Sequence, residues 1–324
     1  MDVVAVDWSG AAKNASVRIW LAHVVDGELV ALRNGRTRHE VIDDLVALRS
    51  QTPQGLVAGL DFSFSFPSWF MREQSCATVA DMWRLASREG ESWLSDCPLP
   101  FWGRPGRPRP ALPAHLRLAE ASLSQRGVSP KSVFQIGGAG TVGTGSVRGM
   151  PHLRRLRASG FSIWPFDPAS PWTVLEIYPR LCTGPVNKSN LEQRARHLEA
   201  SPWEVPDRFA ASIVGSEDAF DAAISALVMH DHLAHLAALR QTTDPVTLLE
   251  GDVWRPPKIT PMSQHEDESP AASSGSGAPS PGDGSGVRPT LTAQVRRRRT
   301  DQQFFLRLRD AIQQNHRALE RLGT

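Results

Sequence analysis

Three stretches of the chain run apolar residues into acid. VVAVDW ends its hydrophobic run on Asp7, GLVAGLDFSF places Asp61 after a second run, and SEDAFDAAISALVM sets Asp218 and Asp221 in an otherwise apolar segment. A carboxylate in that position is costly unless something binds it. Asp218 and Asp221 are three residues apart, so on a helix they share a face about one turn from each other. Four carboxylates brought to one place cannot all stay ionised unless cations hold them. Hard oxygen donors at that density suit Mg²⁺ or Mn²⁺. A two-metal site of this kind activates a water with one ion and neutralises a leaving oxygen with the other, which is the logic of phosphodiester hydrolysis.

Each acid also has a plainer role open to it. Asp7 could open an Asx-turn ahead of Gly10, and Asp61 could begin a turn. Glu217 and Asp218 could be first-turn acids behind a Ser216 cap. Asp221 is harder to dismiss, because its neighbours make a helix that is apolar nearly all round. Glu176 in TVLEIYPR either faces the same cluster or pairs with an arginine such as Arg180.

The elements that must position these acids follow from periodicity and turn chemistry. VVAVDW, SVRIWLAHVV and ELVALRN, with a turn at Asp26-Gly27, predict three antiparallel strands. Thr37-Arg-His-Glu40 is a capping box ahead of a helix. GLVAGLDFSF is a further buried strand that Pro67 ends, helices are expected around 76–89 and 112–125, and FSIWPFD and TVLEIYPR read as strands. SEDAFDAAISALVMHDHLAHLAAL predicts a final core helix of about 24 residues. In this order of elements the first strand presents Asp7, an adjacent strand Asp61, and the late helix Asp218 and Asp221.

Other residues could meet a phosphate. In IGGAGTVGTGS, the glycines Gly138, Gly140 and Gly143 would let backbone N–H groups approach an anion ahead of a helix start. The stretch has no Gly-Lys-Ser/Thr and lacks the dinucleotide spacing, and a surface turn would explain it as well. Arg148, Arg154, Arg155 and Arg157 beyond it suit a nucleic-acid backbone or a solvated basic face. Arg104, Arg107 and Arg109 lie between prolines. Lys13 closes DWSGAAK, which resembles the first phosphate loop of actin-like ATPases and sugar kinases; an ATP-dependent kinase is therefore an alternative reading, and an inactive nucleic-acid-binding protein a third. His230, His232 and His235 read as a histidine-rich helix end, ~15 Å along from the acids. Trp102 is a loop tryptophan that could stack on a base.

Composition narrows the class. Residues 1–260 hold 27 Lys+Arg against 27 Asp+Glu, so the net charge of +2 arises in the tail, where 288–324 carries nine arginines against three acids. Residues 261–292 are rich in Ser, Gly and Pro and cannot bury enough apolar surface to order themselves, which predicts a linker. VRRRRTDQQFFLRLRDAIQQNHRALERL then predicts a basic amphipathic helix over 293–324, suited to tethering nucleic acid. Cys76, Cys97 and Cys182 form neither a disulfide framework nor a zinc pattern. No stretch is long enough to span a bilayer and no basic leader opens the chain, so a cytoplasmic protein without a membrane partner is expected.

VAVDWSGAAK, VAGLDFSFSFP, SVFQIGGAGTVGTGSVRGMPHL, WPFD, LEIYPR and SEDAFDAAISALVM together resemble the motifs of domain-of-unknown-function family 429, nucleases by prediction, over about residues 1–240. The resemblance implies a ribonuclease H-like fold, a mixed five-stranded sheet flanked by helices in a domain over 1–260. Its D…D…DxxD arrangement is also similar to the Holliday-junction resolvase branch. That implies Asp7, Asp61, Asp218 and Asp221 as ligands for Mg²⁺ or Mn²⁺ and a nuclease acting on DNA or RNA.

Overall fold

Six strands pair through their backbones in a computed structural model that describes residues 1–125 and 127–257. They are β1 (Asp2–Asp7), β2 (Trp20–Val25), β3 (Glu28–Arg33), β4 (Leu56–Leu60), β5 (Ser162–Ile163) and β6 (Trp172–Glu176). Their spatial order is β3-β2-β1-β4-β6-β5. β1 pairs antiparallel with β2 and parallel with β4, and β6 continues the parallel half. The mixed sheet therefore has six strands rather than the expected five. The edge strand β5, within the expected FSIWPFD strand, is only two residues long, and Pro165 beyond it has no N–H to extend a ladder. Asp26 and Gly27 both adopt positive φ, 49° and 85°, as a tight hairpin between β2 and β3 requires. β2 starts later than its apolar pattern suggests, because Ala15–Val17 forms a 3₁₀ turn.

The helices are α1 (Arg38–Gln51), α2 (Ser68–Glu73), α3 (Val79–Asp96), α4 (Leu118–Ser124), α5 (Gly143–Ala158), α6 (Arg180–Thr183), α7 (Leu191–Ala200), α8 (Asp207–Gly215), α9 (Glu217–Asp231), α10 (Leu233–Ala237) and α11 (Thr247–Glu250). The Thr37 capping box opens α1 as its sequence requires. The expected long final helix divides at His232, whose N–H turns to the carbonyls of His230 and Met229. Beside this break, His232 and His235 pack on the buried Trp254, which donates its indole N–H to His235 Nδ1 at 3.2 Å. The segment Met1–Pro257 forms one compact unit. The linker expected at 261–292 and the basic helix expected at 293–324 lie outside the described residues. Among the described residues no helix is long and apolar enough to cross a membrane.

Strand parity decides which side chains meet. Val4 and Val6 of β1, Leu56, Ala58 and Leu60 of β4 and Val174 of β6 join the apolar core with residues of α1, α3 and α5. Side chains alternate along a strand, so Val3, Ala5 and Asp7, with Val57, Gly59 and Asp61, face the other way. That face receives α9, which packs across β1 and β2. Gly59 allows this closeness: a Cβ there would lie 2.7 Å from both Ile177 Cγ2 and Met229 Sδ.

Candidate functional site

Asp7 and Asp61 arrive side by side by register. Val6 is opposite Leu60, and the Asp61 N–H donates to the Val6 carbonyl at 3.0 Å, so the two acids leave neighbouring strand ends on the same face. α9 supplies the others. Ser216 caps it by accepting from the Ala219 N–H, which puts Asp218 in the first turn and Asp221 one turn further. Asp221 and Asp7 are buried, whereas Asp61 and Asp218 are half-buried.

Their electrostatics register the convergence. Burial, then the charges of Asp61, Asp221 and Asp218, push the Asp7 carboxyl well above the usual carboxylate range. Burial and then Asp221 raise Asp61 to about 8. Asp221 and Asp218 are also raised, chiefly by burial. Lys188, from the segment between α6 and α7, opposes all four shifts. Its ammonium donates to Asp221 Oδ2. Burial alone would lower the Lys188 pKa, but the Asp221, Asp7 and Asp61 charges outweigh it and hold the group above its ordinary value. The other Asp221 oxygen, Oδ1, is buried with no hydrogen-bond partner.

The donor set is therefore one of hard carboxylate oxygens with an orphaned acceptor among them, which fits a divalent cation in chemistry. In spacing it is looser. Among the described residues no three His, Cys, Asp or Glu side chains are grouped to hold one ion, so an ion would have to draw the carboxylates inward from the arrangement that Lys188 maintains.

Glu176 lines the cleft with Asp61, and its charge helps to raise the Asp61 carboxyl, but its own oxygens are engaged away from the four aspartates. It is in register with Leu60 and so lies on the opposite face of the sheet. There it pairs with Arg117 and not Arg180, which instead donates to the Val186 carbonyl. Glu176 Oε2 accepts from Arg117 Nη1 at 2.9 Å and from the Phe64 N–H at 2.8 Å, while Oε1 accepts from Arg117 Nη2. Both oxygens are thus committed, which removes Glu176 from the expected ligands. Burial nonetheless lifts its carboxyl to about 7, against the pull of Arg117. The fully buried Arg117 also engages Glu120 and the Glu250 carbonyl, and Glu250 accepts from the backbone N–H groups of Ser68 and Leu118. This ion network fixes the segment that follows Asp61.

The strand ends open into a cleft of about 140 Å³, whose wall includes Trp8, Asp61, Tyr178, Lys131 and the start of α5 at Val142 and Gly145. Trp8 packs on Phe62 with ring centroids 5.0 Å apart. The turn after Asp7 uses Ser9, whose Oγ accepts from the Ala11 N–H at 3.3 Å, rather than the Asp7 carboxylate. Arg38 donates to the Ser9 and Ala11 carbonyls, and Arg148 to that of Gly10. Arg148 is further paired with Glu91 through Nε and Nη2, both at 2.7 Å, so it works here as a clamp on the turn. Lys13 is exposed on the same loop.

The glycine-rich stretch serves mostly its own folding. Gly138 and Gly140 take positive φ on an exposed loop, 80° and 68°. Gly143 is buried; its N–H donates to the Gln135 carbonyl, and a Cβ would sit 2.3 Å from the Val133 carbonyl oxygen. Arg155 pairs with Asp43, and Arg157 with Asp167. Trp102, expected on the surface, is buried because its backbone pairs with Phe134 and Ile136. Lys188 and Arg117 carry no motif in the sequence; a lysine in VNKSN and an arginine in HLRLAE look like ordinary surface residues.

Compared with family models, with curated proteins and with solved structures, the chain shows no significant match.

Proposed function

We propose that the protein is a metal-dependent nuclease of ribonuclease H-like architecture, with Asp7, Asp61, Asp218 and Asp221 as its metal-binding acids. The observation that carries this reading is the placement of four carboxylates from two adjacent strand ends and one helix on the same face, with a buried Asp221 oxygen left unpartnered. The order of elements supports it: three antiparallel strands, a helix, a parallel strand leading to an acid, and a late helix bearing two more. The motif resemblance to family 429 points the same way.

Mg²⁺ or Mn²⁺ held there would supply an activated water and charge neutralisation for hydrolysis of a phosphodiester bond. The residues of the chain do the rest. Asp7 is fixed by its strand and Asp221 by its helix, and Asp61 lines the cleft into which the strand ends open. The kinase alternative needs a phosphate between the turn after Asp7 and the start of α5. Those backbones touch, since a Cβ on Gly10 would lie 2.2 Å from the Gly145 nitrogen, which leaves no gap for a phosphate between them.

The test is incubation with a panel of DNA and RNA forms plus Mg²⁺ or Mn²⁺. Asp7→Asn and Asp221→Asn should abolish cleavage while leaving the fold intact or more stable, because each relieves like-charge repulsion. Cleavage by Asp7→Asn at the parental rate would sink the proposal.

A further inference from the structure

We propose that Lys188 is the resident cation of this site: it holds Asp221 in the metal-free protein, yields that carboxylate to a divalent ion, and then offers its half-exposed ammonium to an anionic substrate bound beside the acids. The inference rests on the metal-dependent reading above and adds to it a gate and a substrate contact.

Three observations place Lys188 there by construction. Its backbone is anchored: buried Arg194 donates to the Lys188 carbonyl and, through Nε at 2.8 Å, to the Val214 carbonyl at the end of α8. The flanking turn is fixed as well, with the Asn187 N–H donating to Gln193 Oε1 at 3.0 Å and Asn190 capping α7. The side chain itself is poised between two environments, 46% exposed although its partner Asp221 is only 3% exposed. Lysine is a point charge on a flexible four-carbon stem, so it can leave one partner for another without moving its backbone.

The charge balance explains why it should leave. One ammonium cannot hold four converging carboxyl groups ionised, and it satisfies only one oxygen of Asp221, leaving Oδ1 buried and unpartnered. A divalent ion brings twice the charge and can take both that oxygen and its neighbours. The freed ammonium remains at a site where anionic phosphate is the substrate chemistry that the reading above requires.

The experiment uses the full chain and Mn²⁺ alone, titrated by calorimetry and by electron paramagnetic resonance. Lys188→Met should bind Mn²⁺ about tenfold more tightly than the parent, the factor that one charge-assisted hydrogen bond to a carboxylate is worth. Lys188→Arg, which keeps the charge, should stay near the parent. Lys131→Met removes a lysine that lines the cleft with Asp61 but does not hold Asp221, and should not tighten binding. Without metal, Lys188→Met should melt below the parent, and Mn²⁺ should restore it.

The substrate contact is read by fluorescence anisotropy of an oligonucleotide. With Ca²⁺ present, affinity should fall severalfold in Lys188→Met; without divalent ions it should match the parent, whose lysine is then engaged with Asp221. Equal Mn²⁺ affinity for parent and Lys188→Met, or an equal gain in Lys131→Met, overturns the gate. Unchanged oligonucleotide affinity with Ca²⁺ overturns the substrate contact. Mn²⁺ binding by parent and Lys188→Met alike, undiminished in Asp221→Asn, overturns the metal reading itself along with the gate.

Discussion

Replacing Asp61 with asparagine should flatten the pH dependence of stability in the metal-free protein. Burial first, then the Asp221 charge, lifts the Asp61 carboxyl from the ordinary 3.8 to about 8. In the unfolded chain it titrates near the ordinary value, so from pH 4 to pH 8 the folded state keeps a proton that the unfolded state has lost. Stability then falls as pH rises through this window and levels off above it, with a slope of up to about 1.4 kcal/mol per pH unit for each such group. Between pH 5.5 and 7.5, Asp61 would contribute a loss of about 2–3 kcal/mol if fully buried; it is half-buried, and solvent screening trims that to about 1–2 kcal/mol. Asparagine has no proton to lose, so urea unfolding in EDTA across this range should give a shallower profile for Asp61→Asn and a higher stability at pH 7.5. Some slope should survive, because Glu176 is lifted to about 7 by burial and loses stability in the same direction. Parallel profiles for the two proteins would refute the claim that Asp61 lies inside a buried acidic cluster.

Two further perturbations test the scaffold. Arg117→Met strands the buried Glu120 and Glu176 carboxylates without their partner, a loss of about 3–5 kcal/mol, or roughly 6–20 °C in melting temperature. Adding Glu176→Gln should recover part of it, and a double variant no more stable than Arg117→Met would show that the pair is not coupled. Gly10→Ala forces a Cβ to within 2.2 Å of the Gly145 nitrogen and 2.4 Å of Thr144 Oγ1, so the turn after Asp7 must lift off α5. It should cost about 1–3 kcal/mol by thermal melting and lower metal-dependent cleavage, and a melting curve identical to the parent's would refute the close approach.

Much of the scaffold was legible in the sequence because it rests on local rules. The Asp26-Gly27 hairpin, the Thr37 capping box and the apolar runs ahead of Asp7 and Asp61 each follow from what a few adjacent residues can do. The strand in FSIWPFD was legible but not its shortness, and the break at His232 was not legible, since it accompanies Trp254 arriving from a distant segment. The four aspartates could be picked out singly, as charges in apolar surroundings. Glu176 could not be assigned, because its choice between the cluster and an arginine depends on register: opposite Leu60, it must face away from Asp61. Lys188 and Arg117 were invisible for the same kind of reason. Lys188 lies 33 residues from Asp221 and Arg117 lies 59 residues from Glu176, and no periodicity connects them. Sequence by itself thus determined which residues are too costly to leave without a partner, since burying a charge is a local penalty. Only the tertiary structure decided which partner each one has, because an ion pair depends on distances that the packing of α9 and the sheet brings about.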